Sequence, residues 1–172
     1  KDITMKLWQK KYKLNDKIEE FTVGNDYLLD KKLVKYDCLA SIAHAKMLCK
    51  MGILTKDECS QLINALNEII ALDNKGKFVI IKEDEDCHTA IVNYLVKKLG
   101  DAGKKIHTAR SRNDQVLTAL RMYYKEKIKE ILKETETFVK TLEEFKRKNS
   151  KIEIPGYTHM RKAMPSSVGL WA

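Results

Sequence analysis

"DQVLTALRMYYKEKIKEILKETETFVKTLEEFKRKN", residues 114–149, contains neither glycine nor proline. Its apolar residues recur at intervals of three and four, the spacing of one face of an α-helix. They form a seam of Leu117, Leu120, Tyr124, Ile128, Ile131, Thr135, Phe138, Leu142 and Phe145. A helix of about 35 residues is roughly 50 Å long. Such a length is rare in ordinary globular domains, so the seam predicts a helical bundle shared between subunits.

Three shorter helices are predicted upstream of this stretch. The first can end at Gly52 and carries apolar residues at the same spacing, namely Leu29, Leu33, Tyr36, Ala40, Ala43 and Met47. The second begins with a capping box in which Thr55 is the N-cap and Glu58 reaches back to it. The third begins near "EDEDCH", residues 83–88, with four carboxylates in its first turn, and ends at Gly100.

The segment after the long helix, "IEIPGYTHMRKAMP" at residues 152–165, is predicted as a loop, with another helix starting near Pro165. Helical spacing throughout, with only two prolines and seven glycines, indicates an all-α protein. We expect an N-terminal helical domain at residues 1–106 and the start of a central helical-bundle domain at residues 107–172. Because Val168, Leu170 and Trp171 would leave an apolar helix end without a partner, we expect the chain to be the front part of a larger protein.

Composition argues against several classes of protein. The sequence has no run of about eighteen apolar residues that could span a bilayer, and residues 1–5 lack the apolar segment of a signal peptide, so we expect a cytoplasmic protein. The net charge of +9 comes from lysines interspersed with glutamates, which argues against a nucleic-acid-binding tract. The four cysteines form no C-x-x-C pair and the histidines show no metal-ligand spacing, so no metal site is predicted.

Polar clusters interrupt the helical pattern at "EDEDCH" (83–88), "HTARSRND" (107–114) and "PGYTH" (155–159). Backbone amides are unpaired at a helix N-terminus, so Ser111, Arg112 and Asn113 at such a position suit an anion. A carboxylate fits well because one arginine can bind both of its oxygens. Taken alone, the same residues also fit a plain N-cap, at Asn113 or Asp114, beside solvated arginines.

The "PGYTH" cluster leaves two interpretations open. His159, beside Thr158, could act in proton transfer because the pKa of histidine lies near neutrality. Equally, a histidine in such a loop could simply bond to a loop carbonyl. The carboxylates of "EDEDCH" need no function beyond favouring a helix start.

Taken together, these clusters resemble the argininosuccinate lyase family of the aspartase/fumarase superfamily. The resemblance rests on Leu7-Trp8, "FTVGNDYLLDKKLVKYD", "SIAHAKML", "GILTKDE", "EDCH", "HTARSRNDQV" and "PGYTH". It covers essentially all 172 residues, which correspond to only the front part of a family chain. The string from His107 to Gln115 is its most specific part.

The resemblance implies an enzyme that splits argininosuccinate into L-arginine and fumarate, by removing a proton beside a carboxylate and then breaking a C–N bond. It implies no cofactor, and a homotetramer whose active sites each draw on three subunits. Small molecules are then the expected ligands, with no nucleic acid and no membrane as partners. The family's proton-abstracting serine belongs to a third signature beyond Ala172, so we expect the isolated chain to be inactive.

Site residues follow from the resemblance by matching position. His159 matches the histidine given the acid/base role, and His88 a further catalytic position. The substrate-binding positions are Ser111, Arg112, Asn113, Thr158 and Asp86, together with Gly24, where many members have a serine that contacts substrate. At Gly24 that contact would come from the backbone or be absent.

Other departures from the family pattern concern substrate geometry more than reaction class. Ala109 replaces the glycine of the usual "HTGRSRND". "LWQKKY" at residues 7–12 stands for "LWGGRF", and Arg161 and Met164 replace two glutamines.

Alternatives from two classes stay open. Other fumarate-releasing lyases of the superfamily, adenylosuccinate lyase and fumarase, share the elimination chemistry but not "HTxRSRNDQ". The same scaffold also serves as a lens protein, so the second alternative is a non-catalytic structural or scaffolding protein, similar to a crystallin. Release of fumarate would separate the enzymes from the scaffold.

Overall fold

The computed structural model describes residues 15–172. The segment "LWQKKY" at residues 7–12, which includes the match at Leu7-Trp8, lies outside the described residues. Helices dominate the described part, in the order α1 (Asp16–Val23), α2 (Asp26–Leu29), α3 (Val34–Lys50), α4 (Lys56–Asn74), α5 (Cys87–Leu99), α6 (Asp101–Lys104), α7 (Arg112–Asn149) and α8 (Val168–Trp171). Strands β1 (Glu153–Thr158) and β2 (Arg161–Ser167) pair between α7 and α8. The all-α fold class is confirmed, with this hairpin as the only sheet among residues 15–172.

The chain divides into two compact units, one ending at Tyr124 and the other beginning at Lys125, inside α7. The expected boundary after residue 106 concerns the domains of a complete enzyme, and it stays a prediction. No helix within residues 15–172 combines the length and the apolar character needed to cross a membrane.

The core of the first unit is formed mainly by α3, α4 and α5. The turn before α4 carries the predicted capping box: the Glu58 amide donates to Thr55 Oγ1 at 3.1 Å, and the Thr55 amide donates to Glu58 Oε2 at 2.9 Å. Fully buried large side chains include Leu48, Leu62, Leu66, Ile69, Ile91 and Leu95. Each contributes about 1.5–3 kcal/mol on burial, which gives the polar residues around this core a rigid support.

The buried face of α3 differs from the predicted one. Its buried residues include Val34, Cys38, Ser41, Ala45 and Leu48. Leu33 and Tyr36 are buried as predicted, but Leu29, Ala43 and Met47 are exposed. Both rows repeat at intervals of four and three, so periodicity could not choose between them. The buried row contains small and polar side chains, which made it the less conspicuous of the two.

Helix α5 also starts later than predicted. Lys82–Asp84 form a short 3-10 turn, and Glu85 has φ +66°, so α5 begins only at Cys87. Asp86 is its N-cap and accepts a hydrogen bond from the Thr89 amide at 2.7 Å. The prediction of four carboxylates in the first turn was therefore wrong, because the chain turns sharply before the helix starts.

The long helix α7 is confirmed, with 38 residues and a length of about 57 Å. Only Gln115 and Ala119 of this helix are buried. Much of the predicted seam is exposed in the chain, for example Ile131 at 64% and Phe138 at 63%. The bundle that would cover the seam stays a prediction.

Residues 152–165 do not form the predicted loop, because most of them belong to the antiparallel hairpin of β1 and β2. The register shifts between Pro155 and Tyr157. A Cβ atom at Gly156 would lie 3.0 Å from the carbonyl oxygen of Met164, so glycine permits the close approach of the two strands. The helix expected near Pro165 begins at Val168 instead. The spacing of apolar residues that marks a helix gives no signal for a hairpin this short.

Candidate active site

The segment Ser111 to Asp114 caps α7. The helix begins at Arg112, and Ser111 Oγ accepts a hydrogen bond from the Asn113 amide at 3.2 Å. In return, the Ser111 amide donates to Asp114 Oδ2 at 3.1 Å. The N-cap is therefore Ser111, and not Asn113 or Asp114 as the plain-cap interpretation had it. Ser111 and Asn113 are exposed, so an anion can reach this helix end.

Arg112 joins the start of α7 to the start of α5. Its Nη1 donates to Asp86 Oδ1 at 3.1 Å, and its Nη2 donates to Thr89 Oγ1 at 3.0 Å. These bonds use two of the five N–H groups of a guanidinium and leave three for a ligand. The side chain is 32% exposed. Its guanidinium is thus oriented before any ligand arrives, which favours two-pronged binding of a carboxylate.

Positive charge in this segment is concentrated on the arginines. Burial lowers the pKa of His107, and the charges of Arg110 and Arg112 lower it further, so the His107 ring is neutral near pH 7. Asp86 serves at once as the N-cap of α5 and as the counter-ion of Arg112. The structure therefore brings together the two expected residues Asp86 and Arg112.

His88 lies in the interior, with 2% of its surface exposed. Its Nδ1 is 3.0 Å from Oδ2 of Asp37, which is 0% exposed. Asp37 also accepts two hydrogen bonds from Gln115 Nε2, at 2.9 and 2.8 Å. Burial alone would raise the pKa of Asp37. Hydrogen bonds with His88 and Gln115, together with the charge of Arg110, outweigh burial and hold the pKa of Asp37 below its usual value.

Sequence reasoning missed Asp37, Gln115 and Arg110 as members of the polar network around His88. Arg110 Nη1 donates to Ser41 Oγ at 3.0 Å, and Ser41 Oγ donates to Asp37 Oδ1 at 3.3 Å. Asp37 and Gln115 both stand inside strings that carry the family resemblance, at the end of "LVKYD" and of "HTARSRNDQ". That position was the available signal, because a motif residue buried behind a site can matter as much as an exposed one.

Gly24 ends α1 with φ +52° and ψ −123°, and its amide donates to the carbonyl oxygen of Glu20. A residue with a side chain is strained in this conformation. The local backbone thus accounts for glycine at a position where the family pattern has serine. Contact between this backbone and substrate stays a prediction.

Thr158 and His159 belong to the second unit. Thr158 is the last residue of β1 and pairs with Arg161, so His159 and Met160 form the two-residue turn of the hairpin. His159 is exposed and has φ +54°. A side chain in the left-handed region costs free energy, and such strain occurs often at functional sites. The turn displays the imidazole to solvent, where a ligand can reach it.

Asp30, Cys87 and His88 form the one group within residues 15–172 whose ligand atoms lie within 4.8 Å of one another, as a metal site requires. These residues already have hydrogen-bond partners, since the Cys87 amide donates to Asp30 Oδ2 at 3.2 Å and His88 pairs with Asp37. Burial raises the pKa of the Cys87 thiol, and the charges of Asp37 and Asp30 raise it further, so the thiol keeps its proton. We assign no metal to this group.

Comparisons with known proteins agree with the resemblance seen in the sequence. A family described as "Lyase" matches residues 2–172. Three relatives named argininosuccinate lyase come from Thermotoga neapolitana (53% identical, over 97% of this chain and 42% of the relative), Bacteroides fragilis (44%, over 98% and 38%) and Sorangium cellulosum (38%, over 99% and 40%). The chain spans about two fifths of the length of these curated relatives. Since the family match includes nearly every residue, the chain belongs to the lyase family.

Proposed function

We propose that this chain is the N-terminal part of an argininosuccinate lyase, which splits argininosuccinate reversibly into L-arginine and fumarate in arginine biosynthesis. The observation that carries the proposal is the orientation of Arg112 by Asp86 and Thr89 at the N-terminus of α7. A free N–H face on an anchored guanidinium, beside an exposed helix N-terminus, suits a substrate with carboxylates. The names of the relatives support the same reaction.

The proposed elimination places extra negative charge on a substrate carboxylate, which fixed hydrogen-bond donors can stabilise. The proton to be removed lies beside a carboxylate and is only weakly acidic, so the intermediate carries extra negative charge on that carboxylate. Donors fixed around it in advance lower the barrier without reorganising during the reaction. In this proposal Ser111, Arg112 and Asn113 bind the carboxylate.

Three further residues have proposed roles in substrate binding and proton transfer. His159 acts as the acid/base group or orients one, Thr158 binds substrate, and His88 is a further active-site residue. The serine that abstracts the proton belongs to the remainder of the enzyme. No cofactor is needed, because the chain's own donors and the serine supply the chemistry.

A homotetramer in the cytoplasm is part of the proposal. The exposed apolar seam of α7, including Ile128, Ile131 and Phe138, supports burial against further helices. Small molecules, and neither nucleic acid nor membrane, are the proposed ligands.

Fumarate release by the full-length protein tests the proposal. Ultraviolet absorbance of fumarate is recorded with argininosuccinate and, in parallel, with adenylosuccinate. We expect turnover with argininosuccinate only. Turnover with adenylosuccinate alone would assign a different lyase, and a folded tetramer inactive with both would favour the structural alternative. Either result would overturn the proposal.

A further inference from the structure

Asp37 is a buried carboxylate that the proposed chemistry leaves unused. It lies on α3, is 0% exposed, and contacts side chains from two other helices, His88 of α5 and Gln115 of α7. Desolvating an ionised carboxylate is unfavourable unless hydrogen bonds compensate for the lost water. A buried carboxylate that only filled space would destabilise the fold, so the hydrogen-bond partners of Asp37 indicate its role.

The hydrogen bonds of Asp37 fix the orientation of both partners. Gln115 Nε2 donates to both carboxylate oxygens, so an exchange of the Gln115 amide nitrogen and oxygen would set oxygen against oxygen. Gln115 lies in the first turns of α7, close after Arg112. The bond from Asp37 thereby holds the start of α7 against α3.

Asp37 also fixes the orientation and the tautomer of His88. An ionised carboxylate only accepts hydrogen bonds, so the Nδ1 atom that faces Asp37 Oδ2 at 3.0 Å must carry a proton. In a neutral ring Nε2 then has a free lone pair. The bond also sets the plane of the ring. Loss of an orienting carboxylate is known to damage catalysis by permitting the other tautomer.

We propose that Asp37 is a positioning residue for the candidate active site. It keeps the proton of His88 on Nδ1, so that Nε2 is an acceptor, and through Gln115 it fixes the first turns of α7 that carry Arg112. The catalytic consequence rests on the proposed function, in which His88 and Arg112 belong to the site. The tautomer and the contacts do not depend on it.

The first experiment determines the tautomer in the chain itself. Two-bond ¹H–¹⁵N spectra of histidine-labelled protein are recorded at about pH 8.5, well above the ordinary pKa of histidine. Nitrogen shifts distinguish a protonated from an unprotonated ring nitrogen. We expect His88 to be protonated at Nδ1 and bare at Nε2. A proton on Nε2, in a neutral or a doubly protonated ring, would overturn the inference even if no variant could be purified.

Variants then test whether Asp37 is the cause. Asp37→Asn keeps the shape and supplies an NH₂ group that can donate to Nδ1, and Asp37→Leu removes every acceptor while keeping the same branching in a bulkier side chain. We expect the Nε2–H form of His88 to become populated in both. Asp101→Asn is the matched control, because that carboxylate is exposed and bonds to Lys104. A ring that stays Nδ1–H in both Asp37 variants would overturn the inference.

The last arm is kinetic and uses the full-length protein. We expect Asp37→Asn to lower kcat at least about tenfold while KM changes less than about threefold, since the group acts on the reacting geometry more than on ground-state binding. Asp101→Asn should match the parent. An unchanged kcat with an altered tautomer would overturn the positioning role. If the parent releases no fumarate, the proposed function fails, and the spectra still decide the role of Asp37.

Discussion

The guanidinium of Arg112 is held on one side by Asp86 and Thr89. Substitution of Arg112 therefore tests whether this group binds a carboxylate. We expect Arg112→Lys in the full-length enzyme to lower kcat/KM by about 100-fold, because a point ammonium cannot make parallel bonds to two oxygens. Steady-state fumarate release measures this change. Arg121→Lys, at an exposed position on the same helix, should be neutral. If Arg112→Lys keeps activity within twofold of the parent, Arg112 does not bind the carboxylate as proposed.

His159 allows a substitution that spares its backbone. Asparagine tolerates positive φ better than most residues, so His159→Asn should keep the hairpin turn intact. We expect the full-length variant to lose more in kcat than in substrate affinity, because a proton-transfer group acts mainly in the transition state. The neighbouring exposed Met160→Leu is the control. A change confined to KM would show that His159 only holds substrate.

Ala109 sits at φ +56°, in the conformation that the family's usual glycine adopts without strain. We expect Ala109→Gly to raise the free energy of unfolding of the chain by about 1 kcal/mol, because relief of the strained backbone exceeds the entropy gained by the unfolded state. Urea titration at constant m-value measures it. Ala102→Gly, inside helix α6, should lower stability instead. Destabilisation by Ala109→Gly would contradict the explanation.

At this scale the sequence indicated the exposed candidates Ser111, Arg112 and Asn113 and the buried candidate His88, but it did not indicate Asp37. Ser111, Arg112 and Asn113 could be proposed because they gather polar side chains at a helix start and match the substrate-binding positions of the family. Residue spacing could not indicate Asp37, because its contacts lie 51 and 78 residues away along the chain; only its place in the string "LVKYD" was a signal. Spacing within one segment contains no information about such partners.

Among the helices, α4 has the clearest local signal for its first residue, since the side chains of Thr55 and Glu58 each accept a hydrogen bond from the other's backbone amide. We expect Thr55→Ala to lower the free energy of unfolding by about 1 kcal/mol, the usual cost of losing such a cap. Thermal or urea unfolding of the chain measures it. Thr137→Ala is the control, because Thr137 bonds only to the Lys133 carbonyl within an exposed helix. Equal effects of the two substitutions would show that the cap adds nothing specific.

Elements with a strong local signal were predicted and those without one were not. The absence of glycine and proline was enough to find α7, and Gly100 to end α5. The face of α3 and the hairpin of β1 and β2 were predicted wrongly. For α3, two rows have the same spacing, and only packing against α4 and α5 selects Val34, Cys38 and Ala45. For the hairpin, the strands are short and mostly exposed, so no apolar alternation marks them.

At the scale of the whole molecule, the first unit has a continuous core, whereas α7 exposes an apolar stripe that the chain does not cover. Buried leucines and isoleucines from α3, α4 and α5 pack together, so we expect the chain to fold by itself. The exposed stripe favours self-association. Circular dichroism and sedimentation of the purified chain check both expectations.

We expect this chain to show no lyase activity alone, although it folds. It matches about two fifths of the length of its relatives, and the serine implied by the resemblance would lie in the rest. Loss of a catalytic base commonly costs orders of magnitude in rate. The assay is fumarate release by the chain alone and after mixing with the unmatched C-terminal part of the Thermotoga neapolitana relative. That relative is 53% identical over the shared region, so we expect its C-terminal part to be compatible with this chain. Activity only in the mixture would support the division of the site, whereas turnover by the chain alone would show that the missing base is assigned wrongly.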